Sequence, residues 1–175
     1  TQFASSAASD VYKRQALEGM RLVKDYLPQA FSDGNNLEAR AQMMSAAAMG
    51  ATAFQKGLGA IHALSHPLGA MYHTHHGTTN AVVMLPVLRA NRPAIETRIS
   101  AAADYLGIDG GFDGFYDFVA ALITQLDIPP TLTALGVTDP DIDAVVRAAL
   151  TDPSAGGNPV EMTYDNTKSL LQSCL

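Results

Sequence analysis

Five histidines, His62, His66, His73, His75 and His76, fall within fifteen consecutive residues, and the rest of the chain has none. Imidazole is a borderline ligand that suits zinc and iron, and neutral histidine is the commonest metal ligand among side chains. His62 and His66 stand four apart, a spacing that sets both on one face of a helix. Pro67 is expected to turn the chain, and His76-Gly77 follows ten residues beyond His66. A ligand near a helix end and another on a returning loop can converge on one ion. A His-rich solvated loop would instead bind metals loosely, and spacing alone leaves both readings open. Two familiar metal patterns are excluded. Ala63 follows His62, so this is not the zinc-protease helix. The Glu-x-x-His pair of helical di-metal proteins is missing too, and no carboxylate stands near the cluster in sequence.

The elements that must position these residues read as helices throughout. Leu17, Met20, Val23 and Leu27 recur at helical spacing from Ala16 onward, whereas residues 1–15 are small and polar and read as a frayed start. Ser32 to Asn36 is a turn. A second helix, rich in Ala and Met, is expected from Leu37 to about His62. Its glycines, Gly50, Gly57 and Gly59, suggest close contact with another backbone and hence a central position. Met43, Met44 and Met49 would then be core filler. Thr79–Asn91 is an apolar helix kinked at Pro86, and Pro93–Leu106 continues as an amphipathic one. Phe112–Leu126 carries Phe115, Phe118, Val119 and Leu122 inward. The run Thr138-Asp139-Pro140-Asp141 starts a further helix, and Thr163 the last. Asn80 is expected to cap the helix after the histidine loop, with contact to a substrate as the alternative. The expected class is all-α, a bundle of about seven helices with no strand.

Composition removes several functions. The chain has 175 residues, 47% of them hydrophobic and 16% charged, which suits one globular domain. Its net charge of −6, with eleven scattered Lys and Arg, argues against a nucleic-acid partner. The most apolar run, Ala81–Leu88, is too short to span a bilayer and is broken by Pro86. A single cysteine, Cys174, forbids an internal disulfide framework and fits a reducing, cytoplasmic setting. It stands one residue from the end with no base near it in sequence, and reads as an inert thiol.

The segment Gly57–Asn91 closely resembles the iron-containing (group III) alcohol dehydrogenases. The matching residues are His62, His66-Pro67-Leu68-Gly69-Ala70, His76-Gly77 and Asn80-Ala81 before an apolar helix. The stretch from Asp152-Pro153 to Asn158-Pro159 also looks like that family's late loop. The resemblance implies the C-terminal helical domain of a dehydroquinate synthase-like fold, the half that holds the metal. It implies Fe²⁺, with Zn²⁺ or another divalent ion as substitutes. An N-terminal domain would bind NAD or NADP, and the substrate would be a small alcohol or its aldehyde or ketone. His62 and His76 map onto two metal ligands. His66 maps onto a histidine that lies at the active site, near the nicotinamide and substrate, without ligating the metal. His73 and His75 match variable loop positions.

The departures are as informative. The family's other two ligands, an Asp and a His on one helix, would fall before Thr1, and Asp10 is a poor substitute. Residues 10–15 do not follow the family pattern. The expected organisation is therefore a poorly matching segment at 1–15, a helical metal-binding domain at 16–175, and a dinucleotide-binding domain lying outside the chain. With two of four ligands, the isolated chain is expected to bind metal weakly and to lack dehydrogenase activity. The competing readings are a non-catalytic helical metal-binding module and a glycerol dehydrogenase-like enzyme. The partners implied are the substrate and the nucleotide-binding domain, with a homo-oligomer left open.

Overall fold

The computed structural model describes residues 2–175, with side-chain environments from Asp10 onward. Seven α-helices follow one another: α1 (Gln2–Ser32), α2 (Leu37–Ala53), α3 (Ala60–Tyr72), α4 (His76–Leu106), α5 (Gly111–Gln125), α6 (Ile142–Thr151) and α7 (Tyr164–Gln172). Short 3₁₀ turns lie at Phe54–Lys56 and Ala155–Gly157. No strand occurs among the described residues, and none of the helices is long and apolar enough to cross a membrane.

The expected number of helices is met, but by two compensating differences. The second expected helix is two: it stops at Ala53, and Gly57, with a positive φ of 125° that favours glycine, separates α2 from α3. The two segments expected on either side of Pro93 are one helix, α4, which contains both Pro86 and Pro93. Pro67 does not turn the chain. It lies inside α3, which runs on to Tyr72 because Leu64, Ser65, Pro67 and Leu68 are all buried together. Proline costs a helix interior about 3 kcal/mol, a penalty that tertiary burial of this face offsets. At the other end, α1 starts upstream of Ala16, at Gln2.

Helix ends follow local chemistry. The Asn36 side chain accepts from the Ala39 amide at 3.0 Å and caps α2. Asp141 does the same for Ala144 at 3.0 Å and starts α6. Thr163 and Asn166 form a reciprocal capping box on α7. Gly107, left-handed at φ 66°, closes α4. The N-cap of α4 is His75, whose Nδ1 accepts from the Thr78 amide at 3.3 Å, so Asn80 is not a cap.

Two apolar clusters hold the bundle. The larger joins Leu64 and Leu68 of α3, Val83 of α4, Val145 and Val146 of α6 and Leu171 of α7, with Leu132 and Val137 from the connection before α6. Cys174 belongs to it; burial pushes its thiol up to about 12, which makes it inert at neutral pH. The smaller cluster joins Ala103 and Leu106 of α4 to Phe115 and Val119 of α5. Contrary to expectation, α2 is peripheral. Only Ala39 and Ala46 of it are buried, and Met44 is 75% exposed, so that methionine is no core filler.

Candidate metal and imidazole site

His62 lies in the first turn of α3, His66 one turn later, and His76 is the first residue of α4 rather than part of a loop. The two helices are antiparallel neighbours joined by a tight connection, because His73 adopts the left-handed conformation (φ 56°) that ends α3. Thr79, fully buried, donates its hydroxyl to the His75 carbonyl at 2.9 Å and pins that connection. The result is a triangle of rings. Centroids lie 5.6 Å apart for His62 and His66, 5.3 Å for His62 and His76, and 5.5 Å for His66 and His76. His75 serves as the helix cap, and His73 is exposed at the turn.

Asn80, one turn into α4, sits against two of these rings. Its Nδ2 is 3.1 Å from His76 Nε2 and 3.4 Å from His62 Nε2. Its Oδ1 is buried without a hydrogen-bond partner. Burial, and then the His76 and His66 rings, hold His62 below the ordinary histidine value, with Asp152 acting in the opposite sense. His62 is therefore a neutral imidazole at neutral pH, the form that has a lone pair to give.

The third ring is held by a carboxylate that sequence reading missed. His66 Nδ1 is 2.8 Å from Asp152 Oδ2, between residues 86 apart in the chain. Asp152 Oδ1 accepts from the Ser154 amide at 2.8 Å. Burial makes the Asp152 carboxyl harder to ionise, but the Ser154 and His66 hydrogen bonds outweigh it and leave the carboxyl below its usual range. Only the likeness of the 152–159 stretch to a late loop pointed toward this region.

That loop is clamped to the start of α3. Asn91 and Asn158 exchange hydrogen bonds at 2.9 and 2.8 Å, and Asn158 Oδ1 also accepts from the Ala60 amide at 3.1 Å. Asn158 donates further to the Val160 carbonyl at 2.7 Å. A Cβ on Gly157 would come within 2.0 Å of the Leu58 carbonyl oxygen, so the two loops touch backbone to backbone.

The donor chemistry fits half of a divalent metal site: two imidazole Nε2 atoms face one amide group, and at least one ring is neutral. Among the described residues, no group of three or more His, Cys, Asp or Glu is arranged to hold a metal ion on its own.

The Fe-containing alcohol dehydrogenase family, C-terminal, matches residues 1–175. Alcohol dehydrogenase 4 of Schizosaccharomyces pombe is 32% identical over 99% of this chain and 42% of its own length. The 4-hydroxybutyrate dehydrogenase of Cupriavidus necator is 36% identical over 91% of this chain and 44% of its own. Among solved structures, a 1,3-propanediol oxidoreductase superposes with a TM-score of 0.89 at 29% identity, over 94% of this chain and 45% of that one. The chain thus spans less than half the length of these relatives.

Proposed function

The chain belongs to the iron-containing alcohol dehydrogenase family, as its C-terminal part, and from that premise we propose that it is the helical, metal-holding half of an NAD(P)-linked dehydrogenase. The whole enzyme would interconvert a small alcohol and its aldehyde or ketone, with the nucleotide held by a second domain. The observation that carries this reading is the triangle of His62, His66 and His76, whose ring centroids all lie within 5.6 Å of one another.

His62 and His76 would hold a divalent ion, Fe²⁺ by family and Zn²⁺ as a substitute. When bound, such an ion polarises the alcohol or carbonyl oxygen, and the nicotinamide carries the hydride. The rest is the work of this chain's own residues. His62, uncharged in its half-buried position, keeps its lone pair available. His66 would donate a hydrogen bond from Nδ1–H to the ionised Asp152, which fixes the ring and leaves Nε2 as the nitrogen with a free lone pair. His66 would then orient the nicotinamide and exchange a proton with the reacting oxygen, the expected site for general acid–base work. The Asn91–Asn158 pair keeps the 152–159 loop, and with it Asp152, in register with α3.

A second reading, a non-catalytic metal-binding module, is favoured by the lack of a complete His, Cys, Asp or Glu ligand group among the described residues. Both readings require His62 and His76 to bind metal. The test is a titration of the chain with Co²⁺, followed by its visible d–d absorption, in wild type, His62→Ala and His76→Ala. Loss of binding in both variants is expected. Equal binding in all three would show that the ligands lie elsewhere.

A further inference from the structure

The α1–α2 hairpin leaves a cavity of about 680 Å³ against α4 and α5, and small-molecule sites typically measure about 300–1,000 Å³. Its wall is apolar from Met20 and Val23 of α1 to Met84 of α4 and Phe118 and Leu122 of α5. No charged side chain and no histidine lines it, so it is distinct from the imidazole corner. Gln15 is the one polar side chain in the wall, and its Oε1 is buried without a hydrogen-bond partner. Residues of α1 border the cavity from Gln15 to Leu27, about 18 Å at the rise of an α-helix. The orphan acceptor therefore stands at one end of the stretch that α1 lines.

These features select an occupant. A buried acceptor without a partner is costly, and only a donor relieves it. Water is a poor occupant, because it needs two to four polar partners and this wall supplies one. An ionic amphiphile would meet no counter-charge. The hairpin is closed on itself rather than onto this space. A Cβ on Gly19 would already touch Ala46 and Met49 at 3.6 Å, so α1 and α2 pack against each other there. Tyr105 of α4 donates to Glu18 at 3.2 Å and sets the approach of α1 to α4. We propose that the cavity binds an uncharged, apolar molecule tipped by a single hydroxyl, a medium-chain alcohol being the simplest. Its chain lies along Met20, Val23, Met84 and Leu122, and its hydroxyl donates to Gln15 Oε1. The site is separate from the reaction proposed above and does not rest on the metal reading.

The test uses N-phenyl-1-naphthylamine, an uncharged dye that brightens in apolar surroundings. It is displaced with 1-octanol and with the isomeric heptyl methyl ether, which has no donor. Wild type is compared with Leu122→Trp, which fills the cavity, and with Gln15→Leu, which removes the acceptor. Far-UV circular dichroism and the urea midpoint check that each variant folds. Wild type is expected to bind the dye and to prefer the alcohol over the ether by about fivefold or more. From 1-hexanol to 1-octanol, each added CH₂ should tighten binding about three- to fourfold. Leu122→Trp is expected to lose dye and alcohol together. Gln15→Leu is expected still to bind the dye, but to take alcohol and ether alike. Folded wild type that binds neither dye nor alcohol would overturn the inference, because the cavity would then be closed in solution. Undiminished binding by folded Leu122→Trp would overturn it by placing the apolar site elsewhere. An unchanged preference for the alcohol in Gln15→Leu would overturn it as well, and that variant, at the cavity's edge, decides the matter even if Leu122→Trp does not fold.

Discussion

The imidazole corner and the α1–α2 hairpin are built on opposite terms. Beneath the histidines, Leu64, Leu68, Val83, Val145 and Val146 are completely buried, and above that core the loops are tied by the Asn91–Asn158 exchange and the Asp152–His66 pair. The hairpin instead borders a half-open apolar cavity of about 680 Å³ against α4 and α5, lined by Met20, Val23, Leu27, Met84, Phe118 and Leu122. The buried Oε1 of Gln15, also at its edge, has no partner. Much of what fixes α1 is peripheral. Arg21 bridges Glu18 at 2.6 Å and Asp25 at 2.8 Å, and Tyr105 of α4 reaches Glu18 at 3.2 Å. Such surface pairs contribute little each. Close packing with satisfied polar groups gives side chains one geometry, and chemistry needs that. Open space around helices gives tolerance. The contrast predicts that one substitution, Gly→Ala, will have opposite signs in the two regions.

The largest effect belongs to Gly157→Ala. Its new methyl group would lie 2.0 Å from the Leu58 carbonyl oxygen, and backbone on both sides would have to part. Overpacking of this kind costs about 1–3 kcal/mol, and here it would pull the 152–159 loop from the start of α3. Urea denaturation should show a loss in that range, accompanied by weaker Co²⁺ binding. An unchanged midpoint would mean that the two loops are not clamped, and the comparison would lose its rigid half.

How much of this was legible in the sequence divides along the same line. The histidine cluster that contains His62 and His76 lies within fifteen residues, and the turn residues Asn36, Asp141 and Thr163 act within a few residues of themselves, so spacing and side-chain type point to them. Pro67 was misleading because a local rule, that proline breaks helices, yields to burial of the face that includes Leu64 and Leu68. The glycines of the second expected helix misled differently: Gly57 and Gly59 mark a break and a close approach to Asn158, while Gly50 meets open space. Asp152 and Asn158 were out of reach for a plain reason. Each acts on a residue 67 or more positions away, and no local pattern records such a contact. The cavity was hidden too, since helical periodicity gives the face that turns inward but not the volume left between faces.

A narrower effect should separate Asp152 from its amide analogue. The folded carboxyl lies below its usual range, so its stabilising contribution is fully present above the unfolded value of about 3.9. It is lost as pH falls through the lower folded value. At pH 6, Asp152→Asn should be less stable than wild type by about 1.5–3 kcal/mol, the worth of a hydrogen bond to a charged group. The gap should shrink as the pH is taken below 4. A gap constant with pH would mean that the carboxylate charge is not what holds His66, and that the imidazole corner owes its order to the asparagine clamp alone.

The smallest effect, and the only gain, is expected for Gly50→Ala. Gly50 lies in α2, borders the cavity, and has no atom within 4 Å of the place a Cβ would take. Alanine is better than glycine within a helix by about 1 kcal/mol, partly because it restricts the unfolded chain. No clash subtracts from that here, so the melting temperature should rise by a few degrees, about 2–4 °C for a chain of this size. The sign matters more than the size. A gain beside the loss at Gly157 would establish that the hairpin is loosely packed in solution and the imidazole corner is not. A loss at Gly50 would mean that α1 and α2 close over the cavity and bring atoms against that position, so that both halves of the bundle would be packed alike.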